Sequence, residues 1–180
     1  MKNTSDVKQH ILITICFLLF YILTSVLSPH MAIGWFNASL PASPNFLLCA
    51  TVSLGLLKGR KLGGIYGMIF GFIFDATIGN PFQLSPVVFF LCGYFAKSFA
   101  RPFLRRNPIT AFFVSAVLFA GRAVISAVCI IATFRGISFL NILGAVLPEY
   151  FYNILICPVF FVIIVLLFAL LKIDTEDNSQ

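Results

Sequence analysis

Six apolar runs account for most of this 180-residue chain, and short polar stretches rich in Pro, Asn, Gly, Lys and Arg separate them. A helix needs about 20 apolar residues to cross a bilayer. Only 10% of the residues are charged, whereas globular chains have about a quarter. We therefore expect an all-α integral membrane protein, a six-span helical bundle in which residues 1–180 form a single transmembrane domain. The runs cover residues 11–28, 42–57, 62–79, 84–100, 109–134 and 142–171.

The lengths of the runs predict two irregularities. The second and third runs are short for a full crossing, so their helices would tilt or fall short of one face. The last run is long enough to include a broken entry segment, and we expect helix breaks at Pro148 and Pro158, because proline removes a backbone donor from a helix interior.

The placement of Lys and Arg predicts the orientation of the bundle, because these residues are retained on the cytoplasmic side during insertion. With six spans and an inside N-terminus, the outer connections carry only Arg135. Both termini are then cytoplasmic, as a short N-terminus (1–10) and an acidic tail (172–180). The inner residues are Lys2, Lys8, Lys58, Arg60, Lys61, Lys97, Arg101, Arg105, Arg106 and Lys172.

The net charge of +6 is explained by this topology, so we expect no nucleic-acid partner. The basic cluster at Arg101–Arg106 is suited to contact with anionic headgroups of membrane lipid.

The sequence offers no arrangement suited to intramembrane catalysis, which needs a nucleophile with a base, paired aspartates or an HExxH zinc site within the bundle. His10 and His30 lie at the two ends of the first run, and Asp75 has no second intramembrane aspartate. All five cysteines lie in apolar runs, where they act as small hydrophobic residues. We expect neither enzymatic activity, nor a cofactor, nor a metal site.

Three charged residues lie inside apolar runs, where each costs free energy unless it finds a partner. Asp75 lies 14 residues beyond Lys61 and Arg122 lies 13 beyond Ile109, so both are about 20 Å from the inner edge. Glu149 enters from the outer side to a similar level. We expect Asp75 to be neutralised by Arg122 in a buried polar cluster. Its members are Asp75, Arg122, Glu149, Tyr152 and Asn153.

Glycines four residues apart form a seam on the third helix at Gly63, Gly67 and Gly71. Such positions span only about 80° of a helix surface, so another helix can pack closely against them. Asp75 continues this seam and would point toward the packed neighbour. Two interpretations stay open: the seam serves helix packing, or it makes room for the backbone of a partner or a ligand.

Two segments resemble a known family. Residues 55–98, GLLKGRKLGGIYGMIFGFIFDATIGNPFQLSPVVFFLCGYFAKS, resemble the signature of the rod shape-determining protein MreD family: a basic turn, a glycine-stepped helix ending in Asp, a small turn and a span closing on Gly-Tyr. Residues 147–160, LPEYFYNILICPVF, resemble that family's last segment.

The resemblance implies a non-enzymatic subunit of the cell-elongation machinery in the bacterial inner membrane. Such a subunit binds the bitopic protein MreC. It helps to couple MreB filaments to a RodA-type glycosyltransferase and a class B penicillin-binding protein, which build lateral-wall peptidoglycan. Docking of MreC on the glycine seam is a hypothesis at this point.

The same resemblance implies a second function, through a fold similar to that of the substrate-binding subunits of ECF-type vitamin transporters. The five residues of the polar cluster would then line an outward-facing pocket. A ligand pocket needs several converging donors and acceptors, and the sparse polar lining argues against this function. An ion or proton carrier would need a relay of ionisable groups through the bundle, and the sequence offers a single layer.

Overall fold

A computed structural model describes residues 2–31, 43–78, 84–100, 107–133 and 138–171, with side chains from Val7 onward except that of Ile78. Within these residues the chain forms six α-helices and no strand, which confirms the all-helical prediction. Each expected run corresponds to one helix. A short 3-10 turn, Ser28–Met31, follows the first helix. The helices are α1 (Lys2–Leu27), α2 (Phe46–Lys58), α3 (Arg60–Ile78), α4 (Ser85–Phe99), α5 (Pro108–Thr133) and α6 (Phe139–Leu170).

The helices differ in their ability to cross a bilayer. Three described stretches are long and apolar enough to span one: Val7–Met31, Pro108–Thr133 and Phe139–Leu170. With 13 and 15 residues, α2 and α4 are about 20 and 22 Å long, shorter than a hydrocarbon core of about 30 Å. The third helix, α3, has 19 residues and is also not among the three spanning stretches. The expectation for the second and third runs therefore agrees with the structure, and α4 is a further short helix. The length and composition of α5, α6 and α1 make the chain a membrane protein.

The helix α2 lies at the centre of the bundle, and all 13 of its residues are buried. It packs against α1, α3, α4 and α6, as expected for a helix that is apolar on every side. Even Lys58 at its C-terminal end is only 6% exposed, and its Nζ donates a hydrogen bond of 3.0 Å to Gln9 Oε1.

A single residue, Gly59, connects α2 to α3. Its φ of 100° lies in the region that favours glycine, because a side chain would clash with the backbone there. The N–H of Gly59 bonds to the carbonyl of Gly55, and its own carbonyl accepts from the N–H of Gly63, both at 3.1 Å. The connection is therefore tight and keeps α2 and α3 adjacent.

Contacts between helix ends identify one end of the bundle as basic. At this end, which we call the basic end, Lys58 is hydrogen-bonded to Gln9, and the guanidinium of Arg60 lies 5.9 Å from the centre of the Tyr94 ring. This end joins the start of α1 and α3 to the end of α2 and α4, and so gathers the described basic residues of those helices. Arg101, Arg105, Arg106, Arg135, Lys172 and the acidic tail lie outside the described residues.

The helix α6 runs for 32 residues without interruption, with Pro148 and Pro158 inside it. The helix breaks expected at these two prolines are therefore absent, and this expectation was wrong. Each proline removes one backbone donor, but membrane helices tolerate this loss when neighbouring helices and polar side chains compensate locally.

Candidate functional site

The N-terminus of α2 begins inside the bundle, and the side chains of its cap residue and of two other helices accept hydrogen bonds from the backbone there. Asn45 caps the helix, since its Oδ1 accepts from the N–H of Leu48 at 3.0 Å. The N–H of Asn45 donates to Asn153 Oδ1 on α6 at 2.8 Å, and the N–H of Leu47 donates to Thr24 Oγ1 on α1 at 3.0 Å. Unpaired donors at a buried helix end would be costly, so these contacts let a short helix start within the membrane.

Asn153 also connects this cap to an ion pair between α5 and α6. Its Nδ2 donates to the carbonyl of Glu149 at 2.8 Å, and the Glu149 carboxylate lies 2.6 Å from Arg122 Nη2. The two charged side chains are 18% and 26% exposed. One turn of α6 thus takes part in both the cap of α2 and the ion pair with α5.

Asp75 caps the N-terminus of α4 from a different helix. Its Oδ2 accepts the backbone N–H of Ser85 at 2.9 Å, whereas the residue at the cap position, Leu84, makes no side-chain cap. Pro86 in the first turn has no N–H, so one fewer donor needs a partner. The carboxylate is 2% exposed, and a negative charge is favoured by the partial positive charge of a helix N-terminus.

The pairing of Asp75 with Arg122 that we expected is replaced by two separate interactions: Arg122 pairs with Glu149, and Asp75 pairs with Ser85. The reason is the order of the helices around the bundle. α3 packs against α4 and α2, α4 packs against α5, and α3 and α5 do not form a packed pair. The sequence predicted that Asp75 and Arg122 lie at the same depth. They do not pair, because the helices that carry them occupy different positions around the bundle.

The glycine seam faces inward, against α4 and α2. A Cβ built on Gly63 would lie 2.7 Å from the carbonyl oxygen of Gly93 on α4, and one on Gly67 would lie 2.5 Å from that of Phe89. On Gly71 it would lie 2.8 Å from the Cα of Pro86. Between the two open interpretations, the structure therefore places these glycines in packing within the chain, and no face of the seam is left for a partner.

The last residue of the expected cluster is Tyr152. Tyr152 is half-buried, and its neighbour Tyr150 makes the contact with α5, donating from its hydroxyl to the carbonyl of Ala116 at 3.3 Å. Asn45 and Thr24 were not among the site residues predicted from the sequence. Asn45 had a detectable signal, because asparagine immediately before an apolar run is typical of a helix N-cap.

The space around the ion pair is small. Arg122, Glu149 and Asn153 line a cavity of about 10 Å³, room for about one water molecule, and Asp75 does not line it. Pockets for small organic ligands are about 300–1,000 Å³, so these residues do not form the vitamin pocket that the transporter alternative needs. In the described ranges, no group of three or more His, Cys, Asp or Glu side chains is placed to hold a metal ion.

These contacts define a class: a multi-helix membrane protein whose intramembrane polar side chains hold the ends of short helices and join neighbouring helices. A family model described as rod shape-determining protein MreD matches residues 5–171, which include all of α2 to α6 and nearly all of α1. The chain belongs to the MreD family, and membership implies a role in determining rod shape. No curated protein and no solved structure matches the chain.

Proposed function

We propose that the chain is a non-enzymatic subunit of the bacterial cell-elongation machinery, which binds an MreC-like bitopic protein and supports lateral peptidoglycan synthesis. The observation that carries the proposal is the family match over residues 5–171. The machinery would include MreB, a RodA-type glycosyltransferase and a class B penicillin-binding protein. In this assignment the protein lies in the inner membrane with its basic end and both termini in the cytoplasm, in agreement with the retention of Lys and Arg on that side.

The surface that best suits a partner helix is the groove between α4 and α5. The groove has a volume of about 210 Å³ and exposes apolar side chains that include Phe95 and Ile125. Gly121 lies in it, and nothing is found within 4 Å of a Cβ built there. Small residues in exposed positions allow the backbone of a second helix to approach. This glycine therefore differs from those of the seam, which are already covered.

The partial exposure of Arg122 also favours the groove between α4 and α5 as the surface that a partner covers. Arg122 lines this groove as well as the small cavity on the α6 side, and its side chain keeps 18% of its area exposed although it is paired with Glu149. Charge exposed to hydrocarbon is costly. A transmembrane helix of the partner, lying over Gly121, would cover this area, and its side chains would enter the groove.

Site-specific photo-crosslinking tests this assignment in native membranes. A photoreactive amino acid at Phe95 or Ile125 should give a crosslink to an MreC-like protein. Leu155 is the matched control, because it is exposed and apolar but lies on the side of α6 away from Glu149 and α5. A crosslink to the same protein from Leu155 alone would remove the groove from consideration. Crosslinks to ATPase subunits of a transporter would overturn the proposed function itself.

A further inference from the structure

A second groove lies between α1 and α3, which run in the same direction and are joined at two points. At the basic end, the Tyr66 hydroxyl donates to the carbonyl of His10 at 3.1 Å and lies 3.2 Å from its Nδ1. Toward the opposite end, the Tyr21 hydroxyl donates to Thr77 Oγ1 at 2.7 Å. Both pairs are separated by 56 residues in sequence, so the two helices keep one register over about 16 Å.

Between these two points the helices leave a space of about 500 Å³. Its walls include Leu18 on α1 and Ile65 and Ile69 on α3, whose side chains are 48%, 51% and 50% exposed. Beneath it, the buried Phe17 ring packs against Phe70, with centroids 5.1 Å apart. The groove is thus apolar, floored by aromatic rings, and open at the side of the bundle that lipid would contact.

The shape and lining of the groove favour a flexible chain over a helix. A volume of about 500 Å³ over about 16 Å gives a mean cross-section of roughly 30 Å², less than half that of a helix about 10 Å across. A helix could therefore only lie over this groove, as over the groove between α4 and α5, whereas an extended chain could lie within it. Among the small residues that let helix backbones approach, the lining holds only Thr14, and its other side chains are larger, most of them aliphatic or aromatic. A single extended acyl chain meets both conditions.

The two ends of the groove differ in charge. At the basic end, His10 and Thr14 line it and are exposed, and Lys61 is exposed one turn before Ile65. At the other end, the hydroxyls of Tyr21 and Thr77 are bonded to each other. A phospholipid with an anionic headgroup would place the headgroup beside Lys61 and the acyl chain along α3.

We propose that this groove binds one acyl chain of an anionic phospholipid from the leaflet at the basic end, with its headgroup held at Lys61 and His10. The lipid adds to the packing between α1 and α3, in which the Phe17 ring already contacts the rings of Tyr66 and Phe70. This site is separate from the surface assigned to the partner, and it does not depend on the proposed function.

Native mass spectrometry of the full chain in mild detergent tests the site, with phosphatidylglycerol and phosphatidylcholine as the added lipids. The wild type should retain phosphatidylglycerol in preference to phosphatidylcholine. Lys61→Gln should reduce that preference by roughly five-fold, the effect of one basic residue at an anionic surface. Ile69→Trp, which fills the groove, should abolish retention. Val159→Trp, at an exposed apolar position of α6, is the matched control and should bind as the wild type does.

Equal retention of the two lipids by the wild type would overturn the proposal, as would Ile69→Trp and Val159→Trp giving the same result. Helix content measured by circular dichroism shows whether Ile69→Trp is folded. If it is not, Lys61→Gln decides, because the exposed Lys61 side chain can be replaced without disturbing the packing. An unchanged lipid preference in Lys61→Gln then contradicts the site.

Discussion

The carboxylate of Asp75 on α3 accepts a 2.9 Å hydrogen bond from the backbone N–H of Ser85, the first residue of α4. An intramembrane charge is therefore held by a helix N-terminus, whose exposed N–H groups and dipole favour an anion. The other oxygen, Oδ1, is buried and has no hydrogen-bond partner within the described residues. The contact with Ser85 explains why an acid is placed at the end of a glycine-stepped apolar helix.

Removing this cap should destabilise the bundle. We expect Asp75→Ala to cost about 0.5–2 kcal/mol, the usual effect of losing an N-cap acceptor, and Asp75→Asn to cost less, because its amide oxygen can still accept from Ser85. Thermal unfolding in detergent, followed by circular dichroism, measures both. An Asp75→Ala protein as stable as the wild type would show that the cap contributes nothing.

The two kinds of glycine should respond in opposite ways to the same substitution. Gly67→Ala brings a methyl group to 2.5 Å from the Phe89 carbonyl oxygen and 2.7 Å from Thr51 Cγ2, and such overpacking costs about 1–3 kcal/mol. Gly121→Ala meets nothing within 4 Å and should be neutral or stabilising by up to about 1 kcal/mol through helix propensity. Melting temperatures of the two variants compare them directly, and equal values would contradict the inward placement of the seam.

The ion pair between Arg122 and Glu149 should appear as coupling in a double-mutant cycle. Arg122→Met or Glu149→Met alone leaves a charge unpaired in an apolar region, which is strongly destabilising. The double variant removes both charges and should be more stable than the sum of the single effects predicts, with a coupling of about 0.5–3 kcal/mol. Additive effects in the unfolding measurement would mean that the two side chains do not interact.

Asn153 and Tyr152 are adjacent in sequence but differ in their contacts. Asn153→Leu removes the acceptor for the N–H of Asn45 at the buried start of α2, and an unsatisfied buried donor costs about 1–3 kcal/mol. Tyr152→Phe should change the stability little, since Tyr152 is only half-buried and the contact with α5 comes from Tyr150. If the order of the two effects is reversed, the assignment of the α2 cap is incorrect.

The sequence predicted the helices well because their signal is local: apolar runs set their number and approximate bounds, and Lys and Arg at alternate connections predicted one basic end. It did not predict which helices are neighbours. Depth along a helix can be counted, so Asp75 and Arg122 were placed at one level, but nothing local showed that α3 and α5 are not packed against each other. Pro148 and Pro158 were misjudged for a similar reason, because tertiary contacts decide whether a proline ends a membrane helix.

The most direct test of the account is affinity capture of the chain from native membranes, followed by mass spectrometry, with Gly121→Leu beside the wild type. The wild type should recover an MreC-like protein and wall-synthesis enzymes. Gly121→Leu should insert and fold, because its position is open, yet recover much less of the MreC-like protein. Val159→Leu, at an exposed position of α6 that does not line the groove, should recover it fully. Recovery of transporter ATPase subunits in place of wall-synthesis proteins would contradict the proposed function, and full recovery with Gly121→Leu would contradict the assigned partner surface.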